Sequence, residues 1–144
     1  MRFGEGCVLD HGLVVESRGR LEVGDRTVFG HHCTIAADEG ITIGRDCLIA
    51  ELVSIRDHDH AFASTDVAII DQGRSTTPIH IGDNVWIGGK VTITKGVTIG
   101  SNAVVGAHAV VTGDLPDGCV AVGIPARVVH QRGSDGSVPD TTST

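Results

Sequence analysis

The sequence predicts an all-β solenoid, a stack of three-cornered coils built from hexapeptides, and three observations carry that prediction. Large aliphatic residues recur every six positions over long stretches. Glycine supplies 20 of the 144 residues, and aromatic residues only 3%, with Trp86 the single tryptophan and no tyrosine. A helical bundle tolerates little glycine inside its elements and is excluded. A hydrophobic share of 40% excludes a disordered chain.

In chain order, Phe3, Leu9, Val15 and Leu21 give a weak start to the period. Val23, Phe29 and Ile35 follow, then Ile43, Ile49 and Ile55, then Ile81, Ile87, Ile93, Ile99, Val105 and Val111. A glycine succeeds most of these anchors (Gly24, Gly30, Gly44, Gly82, Gly88, Gly100, Gly106), and a small or apolar residue such as Thr27, Cys33, Cys47 or Val85 stands four places on. A period of six matches neither the 3.6 of a helix nor the simple alternation of a strand. It suits a chain that turns a corner every six residues, with one aliphatic side chain inside each face and glycine accommodating the corner backbone. Three hexapeptides close a coil of about eighteen residues, and stacked coils share a continuous core.

Two interruptions break the period. Between Ile35 and Ile43 the residues from Ala37 to Ile41 are expected to bulge at a corner. Residues 57–78 lack the pattern and read as a protruding loop, a length that is commonly functional. After Val111 the repeat stops at Leu115-Pro116, and a short closing segment leads to a Ser/Thr/Asp/Gly-rich tail from Gly133 that reads as disordered. The domain is therefore 1–132 and the tail 133–144.

A net charge of −7 excludes general nucleic-acid binding. No apolar run approaches the roughly 20 residues of a bilayer span, and the start has no secretory core, so a cytoplasmic protein is expected. Cys7, Cys33 and Cys47 share the fifth hexad place and read as core filler, as does Cys119. The cluster Asp57-His58-Asp59-His60 opens the long loop. An imidazole side chain suits the role of general base; a solvated loop and a metal site are the other readings. A zinc site shared across subunits would draw on His31, His32, His58, His60, His80 and His108.

The segment Ile49–His60, the run PIHIGDNVWIGGKVTITKGVTIGSNAVVGAHAVVTGDLP from Pro78, and GIPARV from Gly123 occur here in that order. From Val23 to Arg127 the chain thereby resembles the maltose/galactoside-type O-acetyltransferases of the hexapeptide-repeat family. The resemblance implies a left-handed parallel β-helix of hexapeptide repeats with a protruding loop and a short C-terminal closing segment. It also implies a homotrimer, with sites between subunits and acetyl coenzyme A as acyl donor. In that family the catalytic histidine lies five residues beyond the last anchor before the loop, which gives His60, with His58 the runner-up. Asp38 falls where relatives hold the acceptor. Trp86 implies a groove wall for the donor's pantetheine arm, and Gly89 and Ala107 imply backbone contacts to it. Thr112 and Gly113 fall near the far end of that arm, and Ile124 and Arg127 near the nucleotide. Arg127 also has the chemistry of a phosphate partner. Two departures stand out. Gly113 replaces a lysine common in relatives, leaving Lys90, Lys95, Arg127 and Arg132 to compensate, and the helical segment that precedes the coils in relatives has no counterpart.

The expected function is acetyl transfer from acetyl coenzyme A to a hydroxyl of a sugar or nucleotide sugar, with no metal and with neither nucleic acid nor membrane as partner. The alternatives are a metal-dependent lyase or hydratase of the β-helical carbonic anhydrase type and a non-catalytic β-helical scaffold.

Overall fold

A computed structural model describes residues 1–133; of the expected tail, residues 134–144 lie outside the described residues. The chain folds as a parallel β-helix with three sheet faces. The first face stacks Arg2–Phe3, Arg20–Val23, Gly40–Ile43, Ile79–Ile81 and Thr98–Ile99. The second runs from Val8–Leu9 through Val28–Phe29, Leu48–Ile49, Trp86–Ile87 and Val104–Val105 to Cys119–Val122 and Arg127–Gln131. The third stacks Val14–Ser17, Thr34–Ala37, Ser54–Arg56, Thr92–Ile93 and Val110–Val111.

The six-residue anchors form the core columns. Phe3, Val23, Ile43, Ile81 and Ile99 are in register on the first face. Leu9, Phe29, Ile49, Ile87 and Val105 stack on the second, and Val15, Ile35, Ile55, Ile93 and Val111 on the third. From Val23 onward these anchors are buried, so each large aliphatic residue contributes about 2 kcal/mol of hydrophobic stabilisation. Leu21 is inward too, but it pairs with Ile41 rather than with the anchor column. The first coil therefore has the same two-residue insertion, Val15 to Val23, that Ile35 to Ile43 has in the second.

The glycines after the anchors accommodate the corner backbone by leaving space rather than by an unusual conformation. They do not have positive φ; that conformation lies two residues later, at Arg26, His32, Asp46, Leu52, Asn84, Lys90, Asn102 and His108. Gly24 and Gly88 are needed because the next coil passes too close: a Cβ there would lie 2.6 Å from the backbone nitrogens of Arg45 and Ala107 respectively.

The fifth hexad place carries a second ladder. Cys7 Sγ donates to the Gly24 carbonyl at 3.2 Å, Thr27 Oγ1 to Gly44 at 2.8 Å, Cys33 Sγ to Ala50 at 3.0 Å and Cys47 Sγ to Gly82 at 3.2 Å. A small side chain with one hydrogen to donate thus fills the interior and ties one coil to the next.

The segment after Ile55 is more ordered than a plain loop. His58–His60 pairs antiparallel with Arg74–Thr76, and a 3₁₀ turn at Ile69–Asp71 lies between them. Lys95 fastens this hairpin to the helix, donating to Ser75 Oγ at 2.7 Å with Asp59 at 3.9 Å. After the last complete coil, Cys119–Val122 and Arg127–Gln131 form a closing hairpin. No helix among the described residues is long and apolar enough to cross a membrane.

Candidate functional site

The hairpin leaves the β-helix at the corner after the third face, where the bulge at Asp38–Gly40 also lies. Asp57, fully buried, joins the two. Its Oδ1 accepts the Asp38 N–H at 2.8 Å, and its Oδ2 accepts those of Glu39 and Gly40 at 2.8 and 2.7 Å. His58 Nδ1 lies 3.0 Å from Oδ1. Burial alone would raise this carboxyl's pKa, but the hydrogen bonds from Asp38, His58, Glu39 and Gly40 outweigh it and hold the group below the ordinary aspartate range.

His58 is 5% exposed. Its Nε2 lies 3.4 Å from Arg56 Nη1 and 3.5 Å from Arg74 Nη1. A guanidinium only donates and a carboxylate only accepts, so the proton belongs on Nδ1 and both ring nitrogens have protein partners. Arg74 Nη1 also donates to Asp38 Oδ2 at 2.5 Å. That hydrogen bond is the largest cause of Asp38's lowered pKa, ahead of the opposing effect of burial.

His60 stands opposite Arg74 in the hairpin register. Strand alternation puts His58 and His60 on one face, with Arg74 beside them. His60 is exposed where His58 is buried. Asp38, His58 and Arg74 are therefore joined by side-chain contacts, and His60, on the same face opposite Arg74, is the imidazole open to solvent.

The corner between the second and third faces is built differently. At the preceding corner, backbone N–H groups are capped by the coil above: Arg45 donates to Asp83 Oδ1 at 3.0 Å and Ser101 to Asp117 Oδ1 at 2.9 Å. Gly89 and Ala107 occupy the equivalent places here, and among the described residues neither N–H has a protein acceptor. Beside them the second face is apolar on its outer side, with Val8, Val28, Leu48, Trp86 and Val104 in register. Leu48 and Trp86 are 54% and 53% exposed. A hollow of about 260 Å³, lined by His31, Leu48, Glu51 and Trp86 among others, opens at this corner.

Trp86, Gly89 and Ala107 thus come together. Ile124, 74% exposed, continues their edge, because the turn that holds it bonds Gly123 O to Val110 N at 3.1 Å. Arg127 is exposed at the start of the last strand. Thr112 and Gly113, also exposed, lie at the other end of the third face, on the hairpin's corner. Of the cations expected to compensate for Gly113, Lys95 is engaged with the hairpin and Arg132 Nη1 with the Asn102 carbonyl at 2.7 Å.

Sequence reasoning reads Asp57 only as one member of an Asp/His cluster and gives Arg74 no role. Asp57's place two beyond an anchor, facing the bulge one coil below, is the signal that could have found it. Arg74 has no such signal, since the hairpin abandons the period.

Residues 78–113 match the family described as bacterial transferase hexapeptide (six repeats), and residues 20–50 match the hexapeptide repeat of succinyl-transferase. The probable acetyltransferase Rv3034c of Mycobacterium tuberculosis is 41% identical over 123 residues, which cover 85% of this chain and 41% of that protein. The putative lipopolysaccharide biosynthesis O-acetyl transferase WbbJ of Escherichia coli is 34% identical over 140 residues, 91% of this chain and 71% of that one. Among solved structures, galactoside acetyltransferase in complex with coenzyme A superposes with a TM-score of 0.84 at 31% identity, over 96% of this chain and 72% of its own. The chain thus spans less than half of the mycobacterial relative.

Proposed function

The chain belongs to the hexapeptide-repeat acetyltransferases, and from that premise we propose that it transfers an acetyl group from acetyl coenzyme A to a hydroxyl of a sugar or sugar-containing acceptor. The observation that carries this reading is the corner at Gly89 and Ala107: two unclaimed N–H donors beside an apolar wall headed by Trp86. A pantetheine arm needs such a surface, with amide carbonyls to satisfy and methylenes to cover. A galactoside acetyltransferase of the same fold binds coenzyme A, and WbbJ is named for O-acetyl transfer in lipopolysaccharide biosynthesis.

His60 is the general base. It takes the acceptor hydroxyl proton as the oxygen attacks the thioester carbonyl. A backbone N–H steadies the developing oxyanion, the C–S bond breaks, and the departing thiolate receives the proton. His58 is a positioning residue, since both of its nitrogens are committed to Asp57 and the arginines. Asp38 orients the acceptor. Ile124 and Arg127 meet the nucleotide end of the donor, and Thr112 and Gly113 complete the groove from the hairpin side.

Within one protomer the donor corner and the hairpin corner are separated by a whole face, up to roughly 20 Å for six extended residues. A complete site therefore needs the donor corner of one protomer and the hairpin of another. This favours a homotrimer closed by a heterologous contact, which would also cover the apolar outer column of the second face. The proposal includes a cytoplasmic location, a reducing compartment that suits four cysteines without a disulfide.

The test is coenzyme A release across a panel of sugars, amino sugars and nucleotide sugars, with light scattering for the assembly. Turnover with a hydroxyl acceptor and a trimeric mass are expected. No release with any acceptor, together with no thermal stabilisation by coenzyme A, would overturn the reading.

A further inference from the structure

The edge that carries Gly89 and Ala107 continues downward through Glu51 and His31 to His11. Successive coils are linked there by backbone bonds from His32 to His11, Leu52 to His31, Lys90 to Glu51 and His108 to Gly89, all 2.9–3.0 Å. At the lower end Asp10 faces two imidazoles. Its Oδ1 lies 3.1 Å from His11 Nδ1, and its Oδ2 lies 3.1 Å from His31 Nδ1. The two rings are 4.4 Å apart, and the three ligand atoms fall within 4.8 Å of one another.

We propose that Asp10, His11 and His31 form a binding site for a zinc-class divalent cation, clipping the first coil to the second. Two imidazoles and a carboxylate are the donor set such ions prefer. Ligands about 2.1 Å from a tetrahedral centre stand about 3.4 Å apart, close to the spacings found here. The Asp10 carboxylate is already oriented by the His11 N–H at 2.7 Å, the kind of outer bond that fixes a metal-ligating carboxylate. In the metal-free site each Nδ1 faces an acceptor-only carboxylate and carries the ring proton. Binding moves that proton to Nε2 through solvent and frees the Nδ1 lone pair, a tautomer change with no oxidation and no net proton loss. The fourth position is open to water or to His32, whose ring lies 5.1 Å from that of His11. His32 has room because its neighbour is Gly12: a Cβ there would fall 2.0 Å from His32 Nδ1.

The clip acts on the first coil, whose inward residues Phe3, Leu9 and Val15 are the least buried of the anchors. Leu9, an inward residue of the first coil, is 46% exposed, while Phe29 above it is fully buried. His11 lies three coils and His31 two coils below Gly89, roughly 14 and 10 Å at the usual strand spacing. His31 also lines the hollow at the donor corner, so the test reads metal binding and Tm rather than turnover.

The test uses the full chain, untagged and stripped with chelator, titrated with Co²⁺ as a spectroscopic probe and with Zn²⁺ during thermal unfolding. One equivalent per protomer, a visible Co²⁺ spectrum and a raised Tm with Zn²⁺ are expected. His31→Ala and Asp10→Asn should each weaken binding at least about 100-fold, and in each variant the rise in Tm on adding Zn²⁺, measured against that variant's own metal-free Tm, should be lost. His80→Ala and His108→Ala should bind as the parent does. The proposal fails if the parent chain gives neither a spectrum nor a Tm shift, or if binding survives in the Asp10→Asn/His31→Ala double variant.

Discussion

Asp57 and His58 form a 3.0 Å hydrogen bond in which the carboxylate fixes the imidazole while also gathering three backbone N–H groups from the bulge one coil below. One buried side chain thereby ties the root of the hairpin, and with it the positioning residue His58, to the backbone of the proposed acceptor residue Asp38.

Asp57→Asn should cost about 3 kcal/mol at neutral pH. An amide has one acceptor oxygen where the carboxylate has two, and its NH₂ would face donors. Urea unfolding measures the loss; a variant within about 0.5 kcal/mol of the parent would show that the bulge is held by other means.

The pH dependence follows from the depressed pKa values of Asp57 and Asp38. A carboxyl with a lower pKa in the folded state stabilises the fold above its unfolded value, about 3.9. That contribution disappears as pH falls through the folded value. Stability should therefore hold from pH 7 to pH 5 and decline below about pH 4, with the gap between parent and Asp57→Asn narrowing there. A gap that stayed constant down to pH 2 would contradict the assignment.

His60→Ala should lower turnover by roughly 10²–10⁴-fold and leave both Tm and the coenzyme A dissociation constant close to the parent's, because His60 is exposed. His58→Ala should lower Tm and activity together, leaving Asp57 without its imidazole partner. His58→Asn, which restores an N–H near Nδ1, should recover much of the Tm. Full turnover in His60→Ala would move the base elsewhere.

The stacked columns were legible in the sequence because each turn of the prism repeats the same geometry: Ile43, Ile81 and Ile99 meet because each follows the same kind of corner. The second face was legible as well, since a six-residue period that puts Ile87 inside puts Trp86 outside. The hairpin was not. Its register sets Arg74 against His60 across an irregular connection whose length no period governs. The corner glycines were visible, but sequence alone does not separate a need for positive φ from a need for space. Leu21 fell into the six-residue series only because its count from Val15 ignores the insertion before Val23.

Gly88 and Gly89 make a sharp last test, because adjacent glycines should respond to alanine in opposite ways. A Cβ at Gly88 would lie 2.6 Å from the Ala107 backbone nitrogen, an atom that the stacked coil cannot move. Gly88→Ala should therefore destabilise by about 1–3 kcal/mol, the range for overpacking. At Gly89 the nearest atom to a new Cβ is the Glu51 carboxylate oxygen at 2.5 Å, the far end of a flexible exposed side chain that can swing away. Gly89→Ala should keep its stability within about 0.5 kcal/mol. Its methyl group, however, stands beside one of the two unclaimed N–H donors, so coenzyme A binding by calorimetry should weaken several-fold. If Gly89→Ala binds the donor as tightly as the parent, the pantetheine arm does not follow this corner.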